Sequence, residues 1–194
     1  MLRCAGKLYA GATLQSFKLH GTYEEQRRQR VVLDRLKDYC DGIGRHIDNG
    51  HNVIFTGSCG TGKDHLMVGM VREAIKAGCY EIQYATAYEI YDSLREAIRG
   101  NTSQAEVLGD LYRPKLLIIS DVLPMNNALT DYEGEMLFRL LDTRHRRLKA
   151  TWVNINVKSR AEAVAKIGEK ILDRLEADGF TLTFEWADYR LKGG

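Results

Sequence analysis

The chain has only two prolines and four cysteines in 194 residues, and it contains no apolar run long enough to span a membrane. With so few prolines and no low-complexity tract, long disordered linkers are excluded. The cysteines Cys4, Cys40, Cys59 and Cys79 match no zinc motif, redox pair or disulfide framework, so they read as reduced thiols of a cytoplasmic protein. Leu2-Arg3-Cys4 has no apolar segment ahead of it, which argues against a lipoprotein signal. An excess of charge of one sign is also lacking: the net value is +2, which permits nucleic-acid binding without arguing for it. The remaining composition, 44% hydrophobic and 28% charged, is that of one ordinary globular domain with a full core.

Residues 1–20 read as an extended lead-in and residues 21–194 as the domain. Thr22-Tyr23-Glu24-Glu25 is a capping box, and Val32, Leu36, Tyr39, Ile43 and Ile47 then recur at helical spacing up to Asn49-Gly50. Strands are expected at 52–56, 80–85, 115–121, 151–157 and 181–186. Helices are expected at 63–77, 86–99, 104–111, 130–147 and 159–177, the last broken near Gly168. Such alternation predicts an α/β fold: a five-stranded parallel sheet with helices on both faces and no separate helical lid. Ligands on these sheets bind at the carboxyl ends of the strands. The glycine-rich stretch after the first strand, Asp121 and Asn154 all fall there.

That stretch, Gly57-Ser58-Cys59-Gly60-Thr61-Gly62-Lys63-Asp64, joins the apolar run Asn52–Thr56 to an amphipathic helix. Strand, glycine turn, lysine and helix make the layout of a P-loop, in which backbone N–H groups cradle nucleotide phosphates. A side chain at Gly60 or Gly62 is expected to crowd the phosphates or forbid the dihedrals. Lys63 pairs with the β- and γ-phosphates, which implies ATP and Mg2+ as cofactors. Cys59 offers an alkylation probe of the loop.

The position after the lysine is normally Ser or Thr, whose hydroxyl ligates magnesium, and here it is Asp64. The strand acid is ambiguous as well. If Asp121 is the metal-side acid, the position that usually orients the attacking water is Val122. Two acids then crowd the metal, and ATP acts as a binding switch. If the register is one residue earlier, Ser120 takes the metal side and Asp121 the water side. Hydroxyl and carboxylate have then traded places between Asp64 and Ser120, and hydrolysis is retained. Alternation cannot decide between them, because both faces of a parallel strand are apolar. Asp64 would also suit the first turn of a helix electrostatically, by about 0.3–1 kcal/mol.

The run Gly60-Thr61-Gly62-Lys63-Asp64-His65-Leu66 resembles the Gly-Thr-Gly-Lys-x-His-Leu of bacterial replicative-helicase loaders of the DnaC type, a branch of the AAA+ ATPases. Thr130-Asp131-Tyr132-Glu133, Asn154-Ile155-Asn156, Gly168-Glu169-Lys170-Ile171-Leu172-Asp173-Arg174 and the closing Phe184-x-Trp186-x-x-Tyr189-Arg190 resemble further segments of that family, in order, from about residue 14 to 190. The resemblance implies that Asn154 is a γ-phosphate sensor and that Arg174 is an arginine finger inserted into a neighbour's ATP site. It places Arg190 as a second sensor and His65 beside the nucleotide. Self-association on a hexameric replicative helicase or on single-stranded DNA follows from it. Thr130 and Tyr132 match the DNA-contacting region, with Arg99 or Ile98 as a further candidate, and a tyrosine stacked on a base is worth about 1–3 kcal/mol. The basic cluster Arg144-His145-Arg146-Arg147-Lys149 could track phosphates or face solvent.

The altered magnesium positions depart from that family, and so do the roughly twenty residues before the core, too few to fold as a helicase-gripping domain. A transposition helper of the IstB type, which shares this core, is the alternative function. A nucleotide-gated scaffold without turnover is the other. A basic DNA-binding extension ahead of the core would favour the transposition helper, and none is present.

Overall fold

The computed structural model describes residues 9–100, 103–123 and 128–189. Five strands, β1 (Val53–Gly57), β2 (Ile82–Thr86), β3 (Leu116–Ser120), β4 (Ala150–Ile155) and β5 (Phe180–Phe184), form one sheet in the order β2-β3-β4-β1-β5. Every pairing is parallel, as expected. Eight helices are described: α1 (Tyr23–Asp41), α2 (Ile43–Asp48), α3 (Lys63–Lys76), α4 (Ala87–Arg99), α5 (Gln104–Tyr112), α6 (Asp131–Arg146), α7 (Arg160–Ile167) and α8 (Glu169–Glu176).

The two-residue period of the strands divides the core. Ile54, Leu117, Ile119, Val153 and Ile155 pack against α4 to α8, and Val53, Phe55, Leu116, Ile118 and Trp152 pack against α1 to α3. Each such aliphatic side chain, fully buried, contributes about 1.5–3 kcal/mol. Helix starts follow the sequence closely. Thr22, Thr86, Ser103 and Thr130 each accept from the backbone three residues on, and the glutamate there returns the bond to the cap.

The continuous helix expected from Thr22 to Ile47 is instead two, parted at Gly42. Glycine is poor in a helix interior by about 1 kcal/mol. The break leaves Val32, Leu36, Tyr39, Ile43 and Ile47 all buried on one face, so the periodicity survives it. Gly168 divides α7 from α8 at φ 85, where the sequence suggested a break.

The basic cluster after α6 is not a uniform surface. Arg144 is fully buried. Its guanidinium donates to Thr151 Oγ1 at 2.9 Å and to the carbonyls of Leu111, Pro114 and Ala150 at 2.7, 3.1 and 2.6 Å. It forms no ion pair among the described residues, and burial draws its pKa down to about 9, which leaves it charged at neutral pH. This one side chain ties the amino-terminal edges of β3 and β4 to the end of α5. Arg144→Met should lower stability by at least about 3 kcal/mol, since it strands several buried carbonyls. In a chain this long that lowers Tm by roughly 6–12 °C, measurable by calorimetry; a shift under about 2 °C would contradict the buried role.

Candidate nucleotide site at the carboxyl edge of the sheet

Between β1 and α3 the chain turns through Gly57, Gly60 and Gly62 at φ 137, 73 and 90, values that L side chains rarely adopt. Gly62 is the N-cap of α3, so the free N–H groups of the first turn face outward from the loop. The loop floors a cavity of about 690 Å3. Phe17, His20 and Tyr189 line it, the last two in edge-to-face contact, and Asp64, Asp121 and Asn156 line it as well.

Lys63 is 5% exposed, and its Nζ donates to the carbonyls of Gly57 at 2.9 Å and Ser58 at 2.7 Å. The ammonium is thereby parked inside the loop. Thr61 Oγ1 donates to Ser58 O at 2.9 Å and pins the turn. Ser58 and Cys59 are exposed at its tip, and Cys59 is a free thiol.

The expected reason for glycine at 60 and 62 needs correcting in part. A Cβ on Gly60 would strike the Asp188 carboxylate, and one on Gly62 would strike the Phe17 ring at 2.6 Å. The loop is sheathed by the chain's own first and last described segments, so close packing there adds to the dihedral demand. His65 belongs to the same sheath: its Nε2 lies 3.0 Å from both Ser16 Oγ and Thr13 O, and its ring meets the edge of Phe17.

The region after the lysine is unusual. Ser120, the last residue of β3 and 3% exposed, donates through Oγ to Asp64 Oδ1 at 2.9 Å. Asn154 Nδ2, from β4, donates to the same oxygen at 2.5 Å. Asp121 follows at φ 50, turns away from that cluster and accepts from Asn156 Nδ2 at 2.9 Å. Of the two registers, the geometry has Ser120 bonded to Asp64, with Asp121 bonded to Asn156 at the cavity wall. Burial raises the Asp64 pKa, the nearby Asp121 charge raises it further, and the Ser120 and Asn154 hydrogen bonds oppose both.

Asn154 Oδ1 is buried with no hydrogen-bond partner among the described residues. An acceptor stranded beside a carboxylate and a hydroxyl fits a hydrated magnesium ion, which takes one or two protein oxygens and completes its shell with water and phosphate. No group of three His, Cys, Asp or Glu side chains that could enclose a metal occurs among the described residues.

The remaining candidates lie elsewhere. The Arg174 backbone carbonyl accepts from Asn52 Nδ2 at 3.1 Å, just ahead of β1 and so at the edge of the sheet opposite the loop. Its Nε pairs with Asp142 Oδ1 at 3.0 Å, while Arg146 holds the other carboxylate oxygen at 2.7 Å. Thr130 caps α6 and bonds Glu133. Tyr132 is half-buried against the core, and its hydroxyl lies 2.5 Å from Gln104 Nε2 and 3.4 Å from Leu94 O. Arg99 is exposed at the end of α4. Arg190 lies outside the described residues.

Sequence reasoning did not find Phe17 and His20 as cavity residues, or Asp142 as the partner of Arg174. A compact Phe17-Lys18-Leu19-His20 run just ahead of the first helix cap was the only local signal.

A parallel sheet carrying a glycine loop between β1 and α3, with polar side chains at the ends of β3 and β4, defines a P-loop fold of the AAA+ kind. The model of the family described as "IstB-like ATP binding protein" matches residues 3–193, and the chain belongs to that family. It is 26% identical over 187 residues to the replicative helicase loader DnaC of Buchnera aphidicola from Acyrthosiphon pisum, covering 95% of this chain and 71% of that protein. An ATP-binding protein of insertion sequence IS21 from Pseudomonas aeruginosa is 29% identical over 153 residues, which is 75% of this chain and 55% of that one. Among solved structures, the DnaC helicase loader superposes with a TM-score of 0.77 at 19% identity, over 92% of this chain and 99% of that one. No described helix is long and apolar enough to cross a membrane.

Proposed function

We propose that the protein is an ATP-dependent loader that assembles with a hexameric replicative helicase on single-stranded DNA. Its likeness to replicative helicase loaders over 95% of the chain carries this reading. Phe17, His20 and Tyr189 would hold the base of ATP, and the glycine loop would hold its phosphates. Lys63 exchanges its two carbonyl partners for the β- and γ-phosphates. Mg2+, when bound, neutralises charge on the transferring phosphoryl group, with Asp64 and Ser120 on its protein side. Asp121 orients the attacking water, held in place by Asn156, and Asn154 senses the γ-phosphate through the Asp64 cluster. Arg174 acts on the site of a neighbouring subunit, and Arg190 takes the role of second sensor. Arg99, with the start of α6 at Thr130 and Tyr132, faces the DNA.

Retention of the host replicative helicase on the immobilised protein tests this. Retention should require ATP and be lost in Lys63→Ala. A second reading, a transposition helper acting on duplex DNA, draws support from the IS21 relative. It predicts ATP-dependent binding of duplex DNA and no helicase retention. Single-turnover hydrolysis with added single-stranded DNA separates either reading from a scaffold that binds ATP without turnover.

A further inference from the structure

The segment after β5 leaves Phe184 and runs back along the glycine loop to the cavity wall at Tyr189. Trp186 Nε1 donates to the carbonyl of Thr61 at 2.9 Å, and the Tyr189 backbone N–H donates to the carbonyl of Gly60 at 3.0 Å. A trans peptide unit points its C=O and its N–H in opposite directions. Holding the Gly60 and Thr61 carbonyls outward therefore turns the N–H groups of Thr61 and Gly62 toward the other side of the loop. Gly60, Thr61 and Gly62 line the cavity, and Tyr189 reaches its wall from the strap. Two successive peptide N–H groups facing one way form the kind of backbone nest that binds an anion.

We infer that residues 185–189 form a positioning strap for the phosphate-binding loop, with the Trp186 indole N–H as its principal contact. The inference rests on the loop being a phosphate site. Trp186 is buried against Phe184, whose ring packs on Phe55 of β1, so the indole is fixed in direction. The strap is anchored on its far side as well. Ala187 N–H donates to Glu25 Oε1 at 2.9 Å, His20 Nε2 lies 3.0 Å from Ala187 O, and Arg28 donates to Glu185 O at 3.1 Å. Two of those three anchors belong to α1 and the third to the lead-in, so the loop is braced by both ends of the described chain. The Asp188 carboxylate against Gly60 shows how closely the strap lies on the loop.

Trp186→Phe keeps an aromatic ring in the core and removes the N–H donor together with one ring of the indole, a packing loss that the adenosine control reads. Calorimetric titration of the full chain should show ADP with magnesium, and inorganic pyrophosphate, binding about three- to tenfold more weakly, the worth of one hydrogen bond. Adenosine, which carries no phosphate, should bind both proteins equally; a general loosening of the fold would weaken all three ligands. Tyr189→Pro deletes the second donor, and Tyr189→Ala controls for the lost ring, so the proline variant should be the weaker of the two toward pyrophosphate. Unchanged pyrophosphate affinity in Trp186→Phe, or an equal loss for adenosine, overturns the strap while leaving the phosphate site standing. A wild-type protein that binds neither ADP nor pyrophosphate removes the phosphate site, and the strap falls with it.

Discussion

Arg174→Ala should lower single-turnover ATP hydrolysis by the assembled protein by about 10³-fold or more, the usual worth of an arginine finger, and leave ATP affinity of the isolated chain unchanged. The reason lies in where the side chain sits. Its backbone is bonded to Asn52, and the five residues of β1 separate that point from the loop. At about 3.3 Å per residue this is roughly 17 Å of strand, too far for Arg174 to touch its own phosphates. Asp142 pairs with the Nε of a side chain that is 39% exposed. The Asp142 carboxylate is only 13% exposed and already pairs with Arg146, so it keeps one cationic partner when Arg174 is truncated. Mixing supplies the decisive comparison. Lys63→Ala lacks a working site but keeps Arg174, and Arg174→Ala has the reverse defect. The mixture should hydrolyse ATP where neither does alone, and a mixture as inactive as its parts would contradict action between subunits.

Asp64 and Ser120 should behave as one unit. Asp64→Ser and Ser120→Asp, made singly, should each lower hydrolysis by about 10²-fold, since one leaves two hydroxyls beside the metal and the other two carboxylates. Made together they restore hydroxyl and acid in exchanged positions, and activity should return to within about tenfold of the wild type. Residues in direct contact at 2.9 Å are those for which such non-additivity is expected. The magnesium dependence of ADP affinity should follow the same pattern without any chemical step. Simply additive losses would defeat the exchange.

Asp64 carries a cost in the free protein that can be read separately. Burial holds its folded-state pKa above the ordinary 3.8, so the folded chain binds this proton more tightly than the unfolded one. Its contribution to stability therefore falls as pH rises from about 4 through the folded pKa. Asp64→Asn should melt above the nucleotide-free wild type at pH 7, with the gap closing as the pH approaches 4. A gap that widens toward low pH would contradict the burial argument.

How much of this was legible in the sequence depends on distance along the chain. The glycine loop was plain because its glycines, its lysine and the strand and helix that frame it are contiguous. The parallel sheet was legible because Leu116 to Ile119 are apolar on both faces and the helices between strands announce themselves with capping residues. The register of Ser120 and Asp121 was not, for the same physical reason: a strand buried on both faces has no alternation to read. What decides it is a turn at Asp121 into the left-handed region and a contact across 56 residues to Asp64. The Asp142–Arg174 pair and the Trp186–Thr61 bond, 125 residues apart, depend likewise on tertiary packing. The burial of Arg144 within a basic run that reads as surface shows the converse, a local pattern overruled by five nearby oxygen atoms.

Thermal unfolding with and without ATP and magnesium, in the wild type and in Lys63→Ala, tests the central claim most directly. A ligand bound only by the folded protein, at about 100 times its Kd, adds about 2.7 kcal/mol. For a chain of this length that raises Tm by roughly 5–10 °C. The nucleotide site at the head of α3 predicts that rise in the wild type and little or none in Lys63→Ala. No shift in the wild type, or the same shift in both proteins, would contradict it.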